Sequence, residues 1–189
     1  MGIIMLGMLI LSRYLGGGMS IARAELTGPS LSRLRPRLQE TAKVLWSIYT
    51  FMTLMEMLLL RYLGGLSWFD SINHALTTMP SGGYSTYDAG IMYFQSPTVE
   101  WIIIFFMVAT GVNFTLYHFV WLREWFNVVN NYELRIYFAV LIGAWAVMMA
   151  NLIIAADVSS SDSFRLSAFQ AASIGTSTGY ATADFASWP

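Results

Sequence analysis

Ser81-Gly82-Gly83-Tyr84-Ser85-Thr86-Tyr87-Asp88 and Ser177-Thr178-Gly179-Tyr180-Ala181-Thr182-Ala183-Asp184 repeat one another at an offset of 96 residues, with five of eight positions identical. Each stretch is small, polar and glycine-bearing, and each follows a short apolar segment. The surrounding chain is the opposite: 189 residues, 56% hydrophobic and 11% charged, with mean hydropathy +0.55. Soluble domains carry about 25% charged residues, so this composition is that of an integral membrane protein. A duplicated polar loop in such a chain points to a pore.

Net charge is −1 and no basic run is interleaved with aromatics, which sets nucleic acid aside as a partner and leaves membrane lipid as the surrounding medium. The absence of cysteine removes disulfides and thiolate metal sites. Residues 136–156 and 101–122 are uncharged runs of 21 and 22, each long enough to cross a hydrocarbon core of about 30 Å. Residues 44–63 make a third span, interrupted by Glu56 and Arg61. The opening run, Met1 to Ser12, reaches only roughly 18 Å as a helix and reads as a spanning helix that starts before residue 1. Its first positive charge, Arg13, follows the apolar stretch rather than preceding it, which is the reverse of a signal peptide.

Orientation follows from the cations. Arg23, Arg33, Arg35, Arg37 and Lys43 precede the span over 44–63, and Arg123 and Arg135 flank the next connection, so both loops are expected to be cytoplasmic. Residues 63–99 and 157–189 then lie outside, with Arg165 as their one cation. Both copies of the repeated loop face the same side, where an inverted repeat would oppose them.

Residues 68–79 and 163–174 are apolar segments of about half a membrane thickness. Ser67 with Asp70 reads as an N-cap of the first, and Pro80 is expected to push Met79 out of helical geometry. Asp162 or Ser163 reads as the cap of the second, which ends by Gly175. A half-helix that stops at mid-depth aims the negative end of its dipole there and favours a cation. The loop after it can turn backbone carbonyls toward an ion to replace its hydration shell. The carbonyls of Ser81, Gly82, Gly83 and Tyr84, and of Ser177, Thr178, Gly179 and Tyr180, are therefore expected along an ion path, with Asp88 and Asp184 at its outer mouth. The competing reading of each loop is an exterior turn, and for the two aspartates a turn cap. Two copies on one side, each behind a half-length helix, favour the pore.

Several residues carry a second reading. Glu56, inside a span, is expected to partner the half-helix through His74, and His118 to be interfacial. Gly175-Thr176-Ser177-Thr178-Gly179 matches a nucleophile-elbow spacing but has a helix before it instead of a strand, so no enzyme is expected. Asn113-Phe114-Thr115 is sequon-like but falls within a span, and Trp46, Trp68, Trp101 and Trp121 sit near helix ends as belt residues do.

Arg23-Ala24-Glu25-Leu26-Thr27-Gly28-Pro29, Glu40-Thr41-Ala42-Lys43, Pro80-Ser81-Gly82-Gly83-Tyr84-Ser85-Thr86, Ser96-Pro97, Gly111-Val112-Asn113-Phe114 and Thr176-Ser177-Thr178-Gly179-Tyr180 together resemble the Trk/Ktr/HKT superfamily of potassium transporters, specifically the bacterial Trk-type membrane subunit. The resemblance implies an all-α integral membrane fold, K⁺-channel-like, in which four helix, re-entrant pore loop and helix units within one chain surround a single pore. It places Gly83 and Gly179 at filter glycines, which the family associates with potassium rather than sodium. It also implies K⁺ as the transported ion without a covalently bound cofactor, a homodimer, a cytosolic nucleotide-binding regulatory subunit, and a multi-pass location in the bacterial cytoplasmic membrane.

On this resemblance residues 1–22 are the end of a first repeat and 23–43 a basic cytoplasmic loop. Residues 44–122 form a complete second repeat (helix 44–63, pore helix 68–79, filter 80–86, helix 98–122), followed by a cytoplasmic loop, 123–135. Residues 136–189 form a third repeat without its closing helix (helix 136–156, pore helix 163–174, filter 175–182). Two of four filter quarters cannot enclose an ion, so the chain reads as an internal fragment. The alternatives are a two-loop channel subunit that self-associates and a non-transporting membrane scaffold or membrane enzyme.

Overall fold

The computed structural model describes residues 38–121, 123–155 and 159–183, and in them the chain is all helix and loop. The expected end of a first repeat (1–22) and most of the basic loop lie outside the described residues, as do Asp184 and the side chain of His118. Helix α1, Leu38–Tyr62, leads through a short turn to α2, Trp68–Thr78. The first repeated loop follows, then a 3-10 turn, Gly90–Phe94, and α3, Pro97–Gly111. Helices α4, Phe114–Trp121, and α5, Trp125–Val129, connect to α6, Tyr132–Ala155, and then to α7, Ser160–Gly175, which carries the second loop.

Helix α1 begins at residue 38, so the last part of the expected loop 23–43 is helical; Leu38 to Lys43 contains no glycine or proline to prevent it. The uncharged run 101–122 is two helices instead of one. The chain leaves helical geometry at Val112 (φ −75°, ψ 139°) and restarts at Phe114. An open helix end inside a membrane must find donors for its last carbonyls. Here Tyr137 on α6 donates to Val108 O at 3.0 Å, Tyr117 on α4 donates to Ala109 O at 2.5 Å, and Thr110 donates to Met107 O at 3.0 Å. The next connection is shorter than 123–135 would suggest, because α5 and the first turn of α6 occupy part of it.

Two helices, α1 from Lys43 to Tyr62 and α6 from Tyr132 to Ile154, are long and apolar enough to cross a membrane, with mean hydropathies of 1.4 and 2.1. The half-length helices are wrapped by the longer ones: α2 packs on α1, and α7 packs between α3 and α6. Leu60, Leu66, Ile91, Val99, Ile103, Met107, Phe169, Ala172 and Tyr180 form one buried cluster, which draws on both repeats. At its outer edge the only described salt bridges among the described residues meet: Arg165 on α7 contacts Glu100 on α3 at 3.3 Å and Asp162 at 3.0 Å.

Candidate ion-path loops

Each half-helix starts on the same device. Ser67 Oγ accepts from the Asp70 amide at 3.0 Å and donates to Asp70 Oδ2 at 2.7 Å. Ser159 Oγ accepts from the Asp162 amide at 3.2 Å and donates to Asp162 Oδ2 at 2.8 Å. The second cap is therefore Ser159, not Asp162 or Ser163, because Asp162 is the partner of the cap; α7 is one turn longer at its start than the 96-residue register implies. Met79, expected outside helical geometry, keeps it (φ −59°, ψ −39°). The helix stops instead because Pro80 has no N–H to continue the ladder.

The two loops then wrap the helix ends identically. The amides of Ser81, Gly82 and Gly83 donate to Thr78 O, Thr77 O and Thr77 O at 2.9, 2.7 and 3.3 Å. Those of Ser177, Thr178 and Gly179 donate to Ile174 O, Ser173 O and Ser173 O at 3.0, 2.9 and 3.3 Å, each bond shifted by the same 96 residues. Positive φ recurs in register as well, at Ser81 (57°) and Gly83 (65°) and at Ser177 (58°) and Gly179 (84°). A serine in the left-handed region costs on the order of 1 kcal/mol, and finding one at the same place in both loops marks a built conformation rather than an accident.

The geometry fixes where carbonyls go. Across a trans peptide the C=O of one residue points opposite to the N–H of the next. With the amides of residues 81 to 83 and 177 to 179 turned back onto their half-helices, the carbonyls of Pro80, Ser81 and Gly82, and of Thr176, Ser177 and Thr178, point away from them. Among the described residues none of these, nor the carbonyls of Gly83 and Gly179, receives a hydrogen bond. Tyr84 and Tyr180 differ: Thr77 Oγ1 donates to Tyr84 O at 2.8 Å and Ser173 Oγ donates to Tyr180 O at 2.7 Å. Thr77 and Ser173 were not singled out from the sequence, although extending the repeat back into the half-helices aligns their hydroxyls in the same register.

The loops meet one another. A side chain on Gly83 would begin where the Thr178 carbonyl oxygen lies, whereas the corresponding position at Gly179 has open space. Tyr180 is buried across the junction with its hydroxyl 2.6 Å from Thr77 Oγ1, while the ring of Tyr84 is exposed. The first loop is braced further by Thr86 donating to Asp70 Oδ1 at 2.7 Å and by His74, whose Nδ1 donates to Asp70 O at 2.8 Å and whose Nε2 pairs with Ser85 Oγ at 3.0 Å. In the second loop Leu166, Gln170 and Ala181 stand at the positions of Asp70, His74 and Ser85, so those braces have no counterpart. Gln170 Oε1 and Thr182 Oγ1 are correspondingly buried without a hydrogen-bond partner among the described residues.

His74 is thus committed to its own helix and loop, and the expected link from Glu56 to His74 is not made. Glu56 is fully buried, and neither of its carboxyl oxygens has a hydrogen-bond partner among the described residues. The Thr78 hydroxyl lies close to it but donates to His74 O at 2.8 Å. Asp88 is exposed beyond the first loop.

A chain of long and half-length helices, with glycine-bearing loops carried at mid-fold, is the architecture of an all-α membrane transport protein. A family described as "TrkH: Cation transport protein" matches residues 1–189, and the chain belongs to that family. It is 36% identical over 192 residues to a Trk system potassium uptake protein TrkH of Halomonas elongata, covering 100% of this chain and 39% of that protein. It is also 36% identical over 204 residues to the TrkH of Escherichia coli K12, covering 100% of this chain and 40% of that protein. The crystal structure of the potassium transporter TrkH from Vibrio parahaemolyticus superposes with a TM-score of 0.78 at 30% identity, over 98% of this chain and 38% of that one. The chain therefore spans about two fifths of the length of these relatives.

Proposed function

We propose that this chain is part of the pore-forming subunit of a potassium uptake protein in the bacterial cytoplasmic membrane, and that its two loops supply two of the quarters of a carbonyl-lined selectivity filter. The observation that carries the reading is the row of carbonyls at residues 81 to 83 and 177 to 179 that receive no hydrogen bond among the described residues. Unpaired backbone oxygens inside a membrane protein cost free energy unless a ligand or water takes the place of a donor. A dehydrated K⁺ is such a ligand, and its replacement coordination by carbonyls needs no covalent chemistry. The dipoles of α2 and α7 end at the same loops with their negative ends, which favours a cation there.

The carbonyls of Tyr84 and Tyr180 turn back instead to Thr77 and Ser173 on the half-helices, so these two residues fix the outer end of the row without adding an open carbonyl to it. Pro80 and Thr176 join it at the inner end, since their carbonyls also point away from the half-helices. Asp88 and Asp184 concentrate cations at the mouth. The relatives are named as proteins of a Trk system, which supports an assembly with partners; the homodimer and the cytosolic nucleotide-binding regulatory subunit are proposed on the family resemblance alone, with lipid as the surrounding medium.

The test is Gly83→Ser and Gly179→Ser in the full-length protein, with uptake of K⁺ and Na⁺ measured in cells that lack other potassium uptake. Each variant is expected to lower the K⁺ to Na⁺ uptake ratio by about tenfold, the equivalent of about 1.4 kcal/mol. An unchanged ratio in both would overturn the reading.

A further inference from the structure

The hydroxyl of Tyr180 does not stay within its own repeat. It crosses to the first half-helix, 2.6 Å from Thr77 Oγ1 and 3.3 Å from Thr78 Oγ1, and the residue is only 2% exposed. Thr77 Oγ1 in turn lies 2.8 Å from Tyr84 O and 2.9 Å from Asn73 O.

Proton counting orders these contacts. A threonine hydroxyl has one proton to give, and a carbonyl oxygen can only accept. With His74 O at 3.2 Å, three carbonyls compete for the proton of Thr77, and the short contact between Thr77 and Tyr180 is then made with the proton of Tyr180; His74 O already takes the Thr78 hydroxyl at 2.8 Å. Asn73 O lies inside α2, where a helical amide already bonds it. Tyr84 O has no backbone donor, and the nearest alternative, the Tyr180 hydroxyl itself, is at 3.4 Å. The Thr77 proton is thus drawn to Tyr84 O. The resulting chain is directional: Tyr180 O–H to Thr77 O–H to Tyr84 C=O. Its two ends belong to different repeats, 96 residues apart.

We infer that Tyr180 is a positioning residue for the neighbouring loop: through Thr77 it sets the direction of the Tyr84 carbonyl, so the outer ends of the two loops hold their geometry jointly rather than separately. This rests on the filter reading above and names the side chains that maintain it. Neither side chain touches the ion. A hydroxyl chain of this kind acts cooperatively, so losing the Thr77 hydroxyl frees the Tyr84 carbonyl, and losing the Tyr180 hydroxyl weakens its bond and lets Thr77 turn to Asn73 O or His74 O inside α2.

The experiment uses the full-length protein in the same uptake assay, with membrane levels of each variant measured alongside. Tyr180→Phe keeps the buried ring and removes the proton; Thr77→Val keeps the shape and removes the hydroxyl; Thr77→Ser keeps the hydroxyl. Tyr180→Phe and Thr77→Val are each expected to lower the K⁺ to Na⁺ uptake ratio by about fivefold, the scale of one hydrogen bond. Thr77→Ser is expected to retain the parent ratio, and the double variant to be no worse than Thr77→Val alone, because both changes break one chain. If Thr77→Val does not reach the membrane, Tyr180→Phe compared with the parent protein decides the matter. An unchanged ratio in Tyr180→Phe, with Gly83→Ser lowering it, overturns this inference and leaves the filter reading standing. An unchanged ratio in both glycine variants removes the filter reading, and this inference with it.

Discussion

Gly83 and Gly179 hold the same place in the repeat and the same left-handed backbone, yet their surroundings differ. Alanine at Gly179 would add only the strain of positive φ, about 1 to 2 kcal/mol, because nothing lies where its Cβ would go. Alanine at Gly83 would meet that strain and also collide with the carbonyl of Thr178 in the neighbouring loop, where backbone cannot step aside as a flexible side chain can. Thermal denaturation of the purified full-length protein should therefore rank Gly83→Ala well below Gly179→Ala. Equal melting temperatures would mean that the two loops do not touch as described. That the glycines mark the turn was legible from the repeated motif. That one of them is also a contact surface was not, because nothing local to Gly83 in sequence names Thr178 as its neighbour.

At the scale of the elements, the half-helices are well specified by their own residues. Ser67 and Asp70, and Ser159 and Asp162, each satisfy an open helix start reciprocally, and replacing either serine by alanine is expected to cost about 1 kcal/mol. Hydrogen exchange at the first turns of α2 and α7 would register the loss, and unchanged protection in both variants would show that tertiary packing alone orders those turns. The second cap, expected at Asp162 or Ser163, is Ser159, because its hydroxyl pairs with Asp162 one turn before the position that aligns with Ser67. The break after Gly111 was hidden for a different reason. Residues 101–122 read as one apolar run because hydropathy records burial in lipid and not backbone continuity. The interruption is tolerable because hydroxyls from Tyr117 on α4 and Tyr137 on α6 reach the released carbonyls of α3.

At the scale of the whole molecule, the two repeats are joined at both ends of α7. Its inner end carries the loop that meets the first loop, and its outer part is tied to α3 through Arg165 and Glu100. Glu100 is buried, and Glu100 Oε2 makes an ionic contact with Arg165 without a formed hydrogen bond, so removing Arg165 alone leaves a buried acid with no cation. Arg165→Gln is expected to lower the melting temperature of the full-length protein more than the double variant Glu100→Gln with Arg165→Gln does. A double-mutant cycle should give a coupling on the order of 1 to 2 kcal/mol, and a coupling near zero would assign α7 placement to apolar packing alone. Helix α6 is exposed along most of its apolar length, as is the ring of Tyr84, while the equivalent Tyr180 is buried against the other repeat. Relatives about two and a half times longer supply further chain that could cover such surfaces.

The sequence by itself determined the membrane character, the two short helices with the first of their caps, and the repeated glycine loops. Each of these is fixed by composition, by local hydrogen bonding or by backbone angles, and such causes act between residues close in the chain. Only the tertiary structure decided that the loops meet at Gly83 and Thr178, that the carbonyls of Tyr84 and Tyr180 are held by Thr77 and Ser173, that His74 braces the first loop instead of reaching Glu56, and that Tyr180 serves its neighbour. These depend on which groups packing brings within about 3 Å of one another and on which of them has a proton to give. Neither condition is written in any single stretch of the chain.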